Sequence, residues 1–322
     1  MSGLHHGTGE AFEINPRTSV AHVKLRVYDI QRSLDFYEQL LGFKTIGRTS
    51  DENAFLSMYG SDYQHYVIHL SKVDNERTID KQERLVNRAG LFHFALLLPN
   101  RNYLANVFRH LTENSGKLFF EGAADHLVSE SLYLRDPDNN GVEIYRDKNR
   151  SEWKRIGEFQ VEMSTERLNL DQLYQEADNF GPWIMPENTV IGHVHLHVSN
   201  LSKSKKFYSE ILGLHHTCTF PGAYFFAADL YHHHVATNTW LGTDIQEANS
   251  EELGLDYFKL KIPSKPDFGK LLRQLQSKNI EIMSDTNDNR NSNSVFIHDP
   301  DQIKSKSLIY SNDQSKKYLA RG

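Results

Sequence analysis

The residues of this chain best suited to do chemistry are its histidines, 17 of them in 322 residues. An imidazole titrates near neutral pH and, when neutral, binds divalent metals. A histidine-rich chain therefore points to proton transfer or metal ligation. His22, His93 and His193 stand at the same place in three segments that resemble one another, and a fourth such segment carries Tyr257 there. A lone strand histidine is ordinarily a satisfied core group, but recurrence in three copies weakens that reading. After His93, the run AADHLVSESLYLRDPDNNGVEIY adds His126, Tyr133, the turn Asp136-Pro137 and Glu143. The stretch after Tyr257 keeps the turn as Asp299-Pro300. It replaces Tyr133 by Phe296, His126 by Asn289, and Glu143 by Lys306 or Leu308, depending on where a gap falls. Turn and core persist while the polar candidates vanish together, as expected of one active and one silent copy.

Two neutral imidazoles and one carboxylate on one face of a metal leave its remaining positions open. That facial set suits non-haem Fe(II), which must bind both a substrate and dioxygen. His93 and Glu143 supply two such ligands. The third is expected to be a first-strand histidine of whichever unit pairs with theirs. Histidines behind the metal can move protons, and Tyr133 can hydrogen-bond an ionised phenol oxygen of a substrate. A further concentration is Tyr231-His-His-His-Val-Ala236. In a strand, His232 and His234 would share one face and His233 would take the other, so at most one face looks into a metal cup. Adjacent histidines also make polar surface patches. The functional reading is favoured because the repeat that holds this run must also provide His193.

The elements that position these residues repeat. Ala21–Phe43, AHVKLRVYDIQRSLDFYEQLLGF, aligns with Gly192–Leu214, GHVHLHVSNLSKSKKFYSEILGL, and Leu91–Leu111 aligns with Leu255–Leu275. Each opens as a half-buried alternating strand, a turn, then a helix with an apolar stripe. Strand-like stretches follow, as at 43–49, 53–58, 63–70, 131–135 and 141–145. The expected fold is α+β: four βαβββ units forming two domains of curved mixed sheet around a metal cup. The expected division is a flexible tail at 1–16, units one and two at 17–147, a linker at 148–188, units three and four at 189–311, and a tail at 312–322. Within the linker a helix is expected at 168–178, before a Gly181-Pro182 break.

Composition narrows the class. Lys+Arg 36 against Asp+Glu 42 gives a net charge of −6, without the basic excess of a nucleic-acid binder. Cys218 is the single cysteine, which excludes an intrachain disulfide and a cysteine-rich metal site. No apolar run reaches the ~18 residues that span a bilayer, and no apolar signal core opens the chain. A soluble, cytoplasmic protein is expected. A homo-oligomer is left open.

Four units opening with a pattern like His-Val-x-Leu-x-Val, then Ser-x-x-Phe-Tyr and Leu-Gly, resemble the vicinal oxygen chelate superfamily of glyoxalases, bleomycin-resistance proteins and extradiol dioxygenases. His126, Leu132-Tyr133, Asp136-Pro137 and Glu143 resemble the extradiol ring-cleaving signature. Over 17–310 the chain is similar to two-domain catechol 2,3-dioxygenase-like proteins of Gram-positive bacteria. The resemblance implies Fe(II), or Mn(II) or another divalent metal, held by His93, Glu143 and a third histidine. That third ligand is His193 if units two and three pair, or His22, with His65 behind it, if units one and two pair. His193 is preferred because only unit three carries the histidine-rich stretch, and His233-His234-Val235-Ala236 matches the context of the family's proton-transferring histidine. His233, His126 and Tyr133 then become the catalytic candidates. The implied reaction is extradiol cleavage of catechol-type aromatic diols with O2. The alternatives are a metal-dependent glyoxalase or thiol-adduct isomerase, and a non-catalytic small-molecule binding protein.

Overall fold

The structure, a computed structural model, describes residues 11–49, 51–58, 66–73, 87–114, 119–178, 183–284 and 294–309. His65, Asn289, the Gly181-Pro182 break and most of both expected tails lie outside the described residues.

Unit one comprises β1 (Ser19–Val27), α1 (Ile30–Leu34, continued by a π-helical turn over Asp35–Leu40), β2 (Lys44–Thr49), β3 (Asn53–Ser57) and β4 (Ile68–Lys72). Unit two comprises β5 (Gly90–Leu98), α2 (Arg101–Glu113), β6 (Phe119–Asp125), β7 (Ser129–Arg135) and β8 (Gly141–Asp147). The connecting segment holds α3 (Leu170–Gln175), within the span expected for a helix. Unit three comprises β9 (Val190–His197), α4 (Leu201–Lys205, then a π-helical turn over Lys206–Ile211), β10 (His215–Phe220), β11 (Ala223–Ala227) and β12 (Val235–Asn238). Unit four comprises β13 (Gly254–Ile262), α5 (Lys265–Ser277), β14 (Met283–Ser284), β15 (Ser294–His298) and β16 (Lys304–Ile309).

Local chemistry explains where these elements begin. Asp29, Asn100, Asn200 and Ser264 cap their helices, each side chain accepting a backbone N–H from the first turn. In β9, Val194 and Leu196 sit in the core while His193, His195 and His197 share the opposite face.

Among the described residues the strands form two eight-stranded sheets, ordered β14-β15-β16-β13-β1-β4-β3-β2 and β10-β11-β12-β9-β5-β8-β7-β6. Within each unit, the first strand lies parallel to the last. Units join through their first strands, β1 antiparallel to β13 and β5 antiparallel to β9. The fold is therefore α+β, two vicinal-oxygen-chelate domains built on curved mixed sheets. The sheets cross the expected division at 17–147 and 189–311, because unit one shares a sheet with unit four and unit two with unit three. Units one and two, and units three and four, are tied between sheets instead. Buried Tyr37 donates its hydroxyl hydrogen to Asp136 at 2.8 Å, and Tyr208 does the same to Asp299 at 2.9 Å. The repeated Phe-Tyr and Asp-Pro motifs are thus the two halves of one buried hydrogen bond. No helix among the described residues is long and apolar enough to cross a membrane.

Candidate metal centre

Pairing β5 with β9 puts four residues in one row across the second sheet. Tyr133 on β7 faces Glu143 on β8, Glu143 faces Ala95 on β5, and Ala95 faces His193 on β9. Ala95 is small, so Glu143 and His193 lean toward each other over it. His93 is two residues along β5, on the same face. Its Nε2 and that of His193 each lie 2.9 Å from the same oxygen, Oε2 of Glu143. One ligand atom from each of the three residues falls within 4.8 Å of the others. Gly141 lets β8 come this close, since a Cβ there would sit 2.0 Å from the carbonyl oxygen of Phe92. Gly192, beside His193, leaves room for the Tyr145 hydroxyl, which would be 1.8 Å from a Cβ.

The three side chains are buried. Burial pushes the His193 imidazole down to about 4, against the pull of Glu143, so it is neutral at pH 7. Burial also works against ionising Glu143. The two imidazoles prevail and hold its carboxyl well below the usual range. A neutral His193 and an ionised Glu143 are the protonation states in which these groups bind a divalent cation. His93 Nε2, though close to Glu143, has no aligned hydrogen-bond partner. A buried polar nitrogen left this way is costly, and a cation between the three groups would satisfy all of them. The residues present therefore fit a divalent metal held by two histidines and one glutamate.

The catalytic candidates flank this set. His126 Nδ1 lies 2.7 Å from the carbonyl oxygen of Ser164 and must donate to it. Its Nε2 is then the acceptor for the Tyr133 hydroxyl, 2.7 Å away. Burial, with Glu143 nearby, raises the Tyr133 phenol well above 10. On the other side, the His233 ring lies 4.0 Å from that of His193. Burial, then the surrounding imidazoles, lowers its pKa well below 6.5.

The alternation expected for His232–His234 does not hold, because β12 begins only at Val235 and the preceding backbone is irregular. His232 and His233 are both buried and packed against each other. His234 accepts from the backbone N–H of Ala228, away from the centre. His22 lies in the other sheet.

Several cup residues were not read from the sequence. His195 and His197 follow His193 on the same face of β9, a period visible in the run GHVHLH. Asn238 ties them together, its Nδ2 3.0 Å from His195 Nε2 and its Oδ1 2.7 Å from His197 Nδ1. Simple alternation assigns Phe92 to the face opposite His93. A register irregularity in β5 between Leu91 and His93 turns it against His195, His197 and Trp240 instead. These rings make one flank of the cup aromatic. A cleft of about 930 Å³ is lined by residues of both sheets, including His197 and Arg135 but none of the three candidate ligands.

A curved sheet closing around a buried cluster of two imidazoles and a carboxylate defines a metal-cup protein of the vicinal oxygen chelate class. The chain belongs to the Glyoxalase/Bleomycin resistance protein/Dioxygenase superfamily, whose family model matches residues 19–144 and 190–305. It is 34% identical to the catechol-2,3-dioxygenase of Bacillus subtilis (strain 168) over 289 residues, which cover 89% of this chain and 95% of the relative. It is 32% identical to the lactoylglutathione lyase of Escherichia coli O157:H7 over 134 residues, or 39% of this chain and 91% of the relative. Glyoxalase I from Zea mays shares the fold with a TM-score of 0.52 at 16% identity, over 91% of this chain and 92% of that one.

Proposed function

We propose that the protein is an extradiol dioxygenase, cleaving catechol-type aromatic diols with O2. His93, Glu143 and His193 would hold Fe(II). The observation that carries this reading is the flanking of that triad, by the Tyr133–His126 pair on one side and His233 on the other. Fe(II), when bound, would supply the redox-active centre for dioxygen and for the two diol oxygens. The chain's own residues do the remaining work. Tyr133 keeps its proton and donates a hydrogen bond to an ionised diol oxygen. Before substrate binds, that single hydroxyl hydrogen goes to His126 Nε2, and the diol oxygen would take it over from His126. His233, neutral and buried, takes or returns a proton at its ring nitrogen. Phe92, Phe225 and Trp240 supply flat apolar walls for an aromatic ring, with Phe225 4.9 Å from His233 and Trp240 5.2 Å from His195. The 34% identity to a catechol-2,3-dioxygenase over most of both chains supports the same reading.

The shorter match to a lactoylglutathione lyase supports a second reading, a metal-dependent isomerase or lyase that needs no O2. Anaerobic loading with Fe(II), followed by O2 uptake with a panel of catechols, separates the two. Consumption of O2 with formation of a ring-opened product is the expected result. Bound metal with no O2 uptake, but turnover of a thiol adduct, would establish the second reading.

A further inference from the structure

The strand that carries Glu143 carries a second carboxylate on the same face. Glu143, Tyr145 and Asp147 alternate along β8. Asp147 Oδ1 lies 2.9 Å from His232 Nε2 and accepts a hydrogen bond from the Tyr231 hydroxyl at 3.2 Å. A carboxylate oxygen accepts, so His232 Nε2 carries the hydrogen. A neutral imidazole with hydrogen on Nε2 has a bare Nδ1. That Nδ1 lies 2.7 Å from Nδ1 of His233. Two bare nitrogens would repel at this distance, so His233 donates from Nδ1. As a neutral ring, it is left with a bare Nε2. The His232 ring is clamped by Tyr231, Trp153 and Tyr145, with centroids at 4.1, 5.4 and 6.0 Å. The clamp holds the chain of hydrogen bonds in one orientation.

We propose that Asp147 and His232 are positioning residues that set the tautomer of His233, leaving its Nε2 as a hydrogen-bond acceptor beside the metal centre. The role of that acceptor in turnover rests on the dioxygenase reading, whereas the tautomer itself does not. Asp147 is part-exposed at the end of its strand, and nothing in its immediate sequence marks it. Its place opposite His232 exists only because unit two pairs with unit three.

The test reads the tautomer directly, in metal-free protein labelled with ¹⁵N in its imidazoles. The wild type is expected to show His233 protonated at Nδ1, against the ordinary preference of histidine for Nε2. Asp147→Ala should move that hydrogen to Nε2. His232→Phe should do the same while keeping an aromatic ring against Trp153, which provides a second variant should the first fail to fold. Wild-type His233 protonated at Nε2, or no change in either folded variant, would overturn the proposal. In iron-loaded protein, both variants should keep their metal and their KM for catechol while kcat falls about 10–100-fold, the usual cost of removing a group that orients the site from behind. A switched tautomer with unchanged kcat would overturn the positioning role. If the iron-loaded wild type consumes no O2 with any catechol, the dioxygenase reading fails while the tautomer measurement still decides this proposal.

Discussion

In the sheet of units two and three, the row across the cup reads Tyr133, Glu143, Ala95, His193. In the sheet of units one and four, the same register reads Phe296, Lys306, Lys259, His22. His93, two residues before Ala95, is matched by Tyr257, two before Lys259. The backbone is repeated and the chemistry inverted. Where one sheet has a carboxylate the other has an ammonium, and where one has a small residue beneath the candidate metal position the other has a lysine. Lys306 Nζ lies 5.2 Å from the Phe296 ring centroid and 5.7 Å from that of Tyr257. Burial, then Lys259, His69, Lys306 and Lys24, lowers the pKa of His22 well below 6.5. One cup gathers charge that attracts a divalent cation, and the other gathers charge that repels it. Fold alone therefore does not distinguish the two cups; the side chains in one row do.

The largest expected effect is loss of the metal itself. Glu143→Gln, His93→Ala and His193→Ala should each bring iron content to background and abolish activity, because three ligands tolerate no loss. His22→Ala, Tyr257→Phe and Lys306→Ala should leave iron content as in the wild type. Metal analysis after anaerobic loading checks both sets. Iron retained in His193→Ala and lost in His22→Ala would reverse the assignment of the cups. The comparison sharpens if the second cup can be converted. Tyr257→His with Lys259→Ala and Lys306→Glu rebuilds the row around His22, and should raise bound divalent metal from one to two per chain.

Smaller effects separate ligands from their neighbours. Tyr133→Phe copies what the other sheet already has at Phe296, so the fold accepts it. It should keep iron, weaken binding of the catechol anion and slow turnover by roughly 10²–10⁴-fold, as expected of a lost acid–base or hydrogen-bonding group. His233→Gln should slow the O2-dependent step with iron retained, and His234→Gln should change little. Steady-state kinetics at fixed iron content measures all three. Full dioxygenase rates in both Tyr133→Phe and His233→Gln would remove those roles.

The smallest effect is on stability against pH. Burial holds His69, in the cup of units one and four, at about 3 and His197, in the other, at about 4. Unfolded imidazoles take up protons near 6.5. Below that pH the unfolded chain binds more protons than the native one, so stability is lost as pH falls from about 6.5 toward 4. Buried Asp136, pushed up to about 6, and Asp299, to about 7, act in the opposite sense. They are two against the buried, depressed imidazoles of both cups. The denaturation midpoint of metal-free protein should therefore be lower at pH 5 than at pH 7.5. A higher midpoint at pH 5 would show that the two carboxyls dominate.

Much of this was legible in the residues. Four strand–helix–strand units, the α+β class and the pairing of His93 with Glu143 follow from repeat, alternation and the loss of polar groups in unit four. The gap that left Glu143 opposite either Lys306 or Leu308 was not resolvable by alignment, and the pairing of Lys259 with Lys306 settles it as Lys306. Phe92 was hidden because a strand irregularity breaks the two-residue period on which the reading of faces depends. Asp147 was hidden because its partner is 85 residues away in sequence.

What the sequence determined by itself is the set of units and the chemical kind of each side chain, because both depend on local spacing. What only the tertiary structure decided is which units share a sheet. A first strand offers its free edge through backbone N–H and C=O groups that are alike in all four units, so nothing in β5 names β9 rather than β1 as its partner. That choice lies in the tertiary packing, in which the buried Tyr37–Asp136 and Tyr208–Asp299 hydrogen bonds join unit one to unit two and unit three to unit four across the sheets. It brings His193, and not His22, to Glu143.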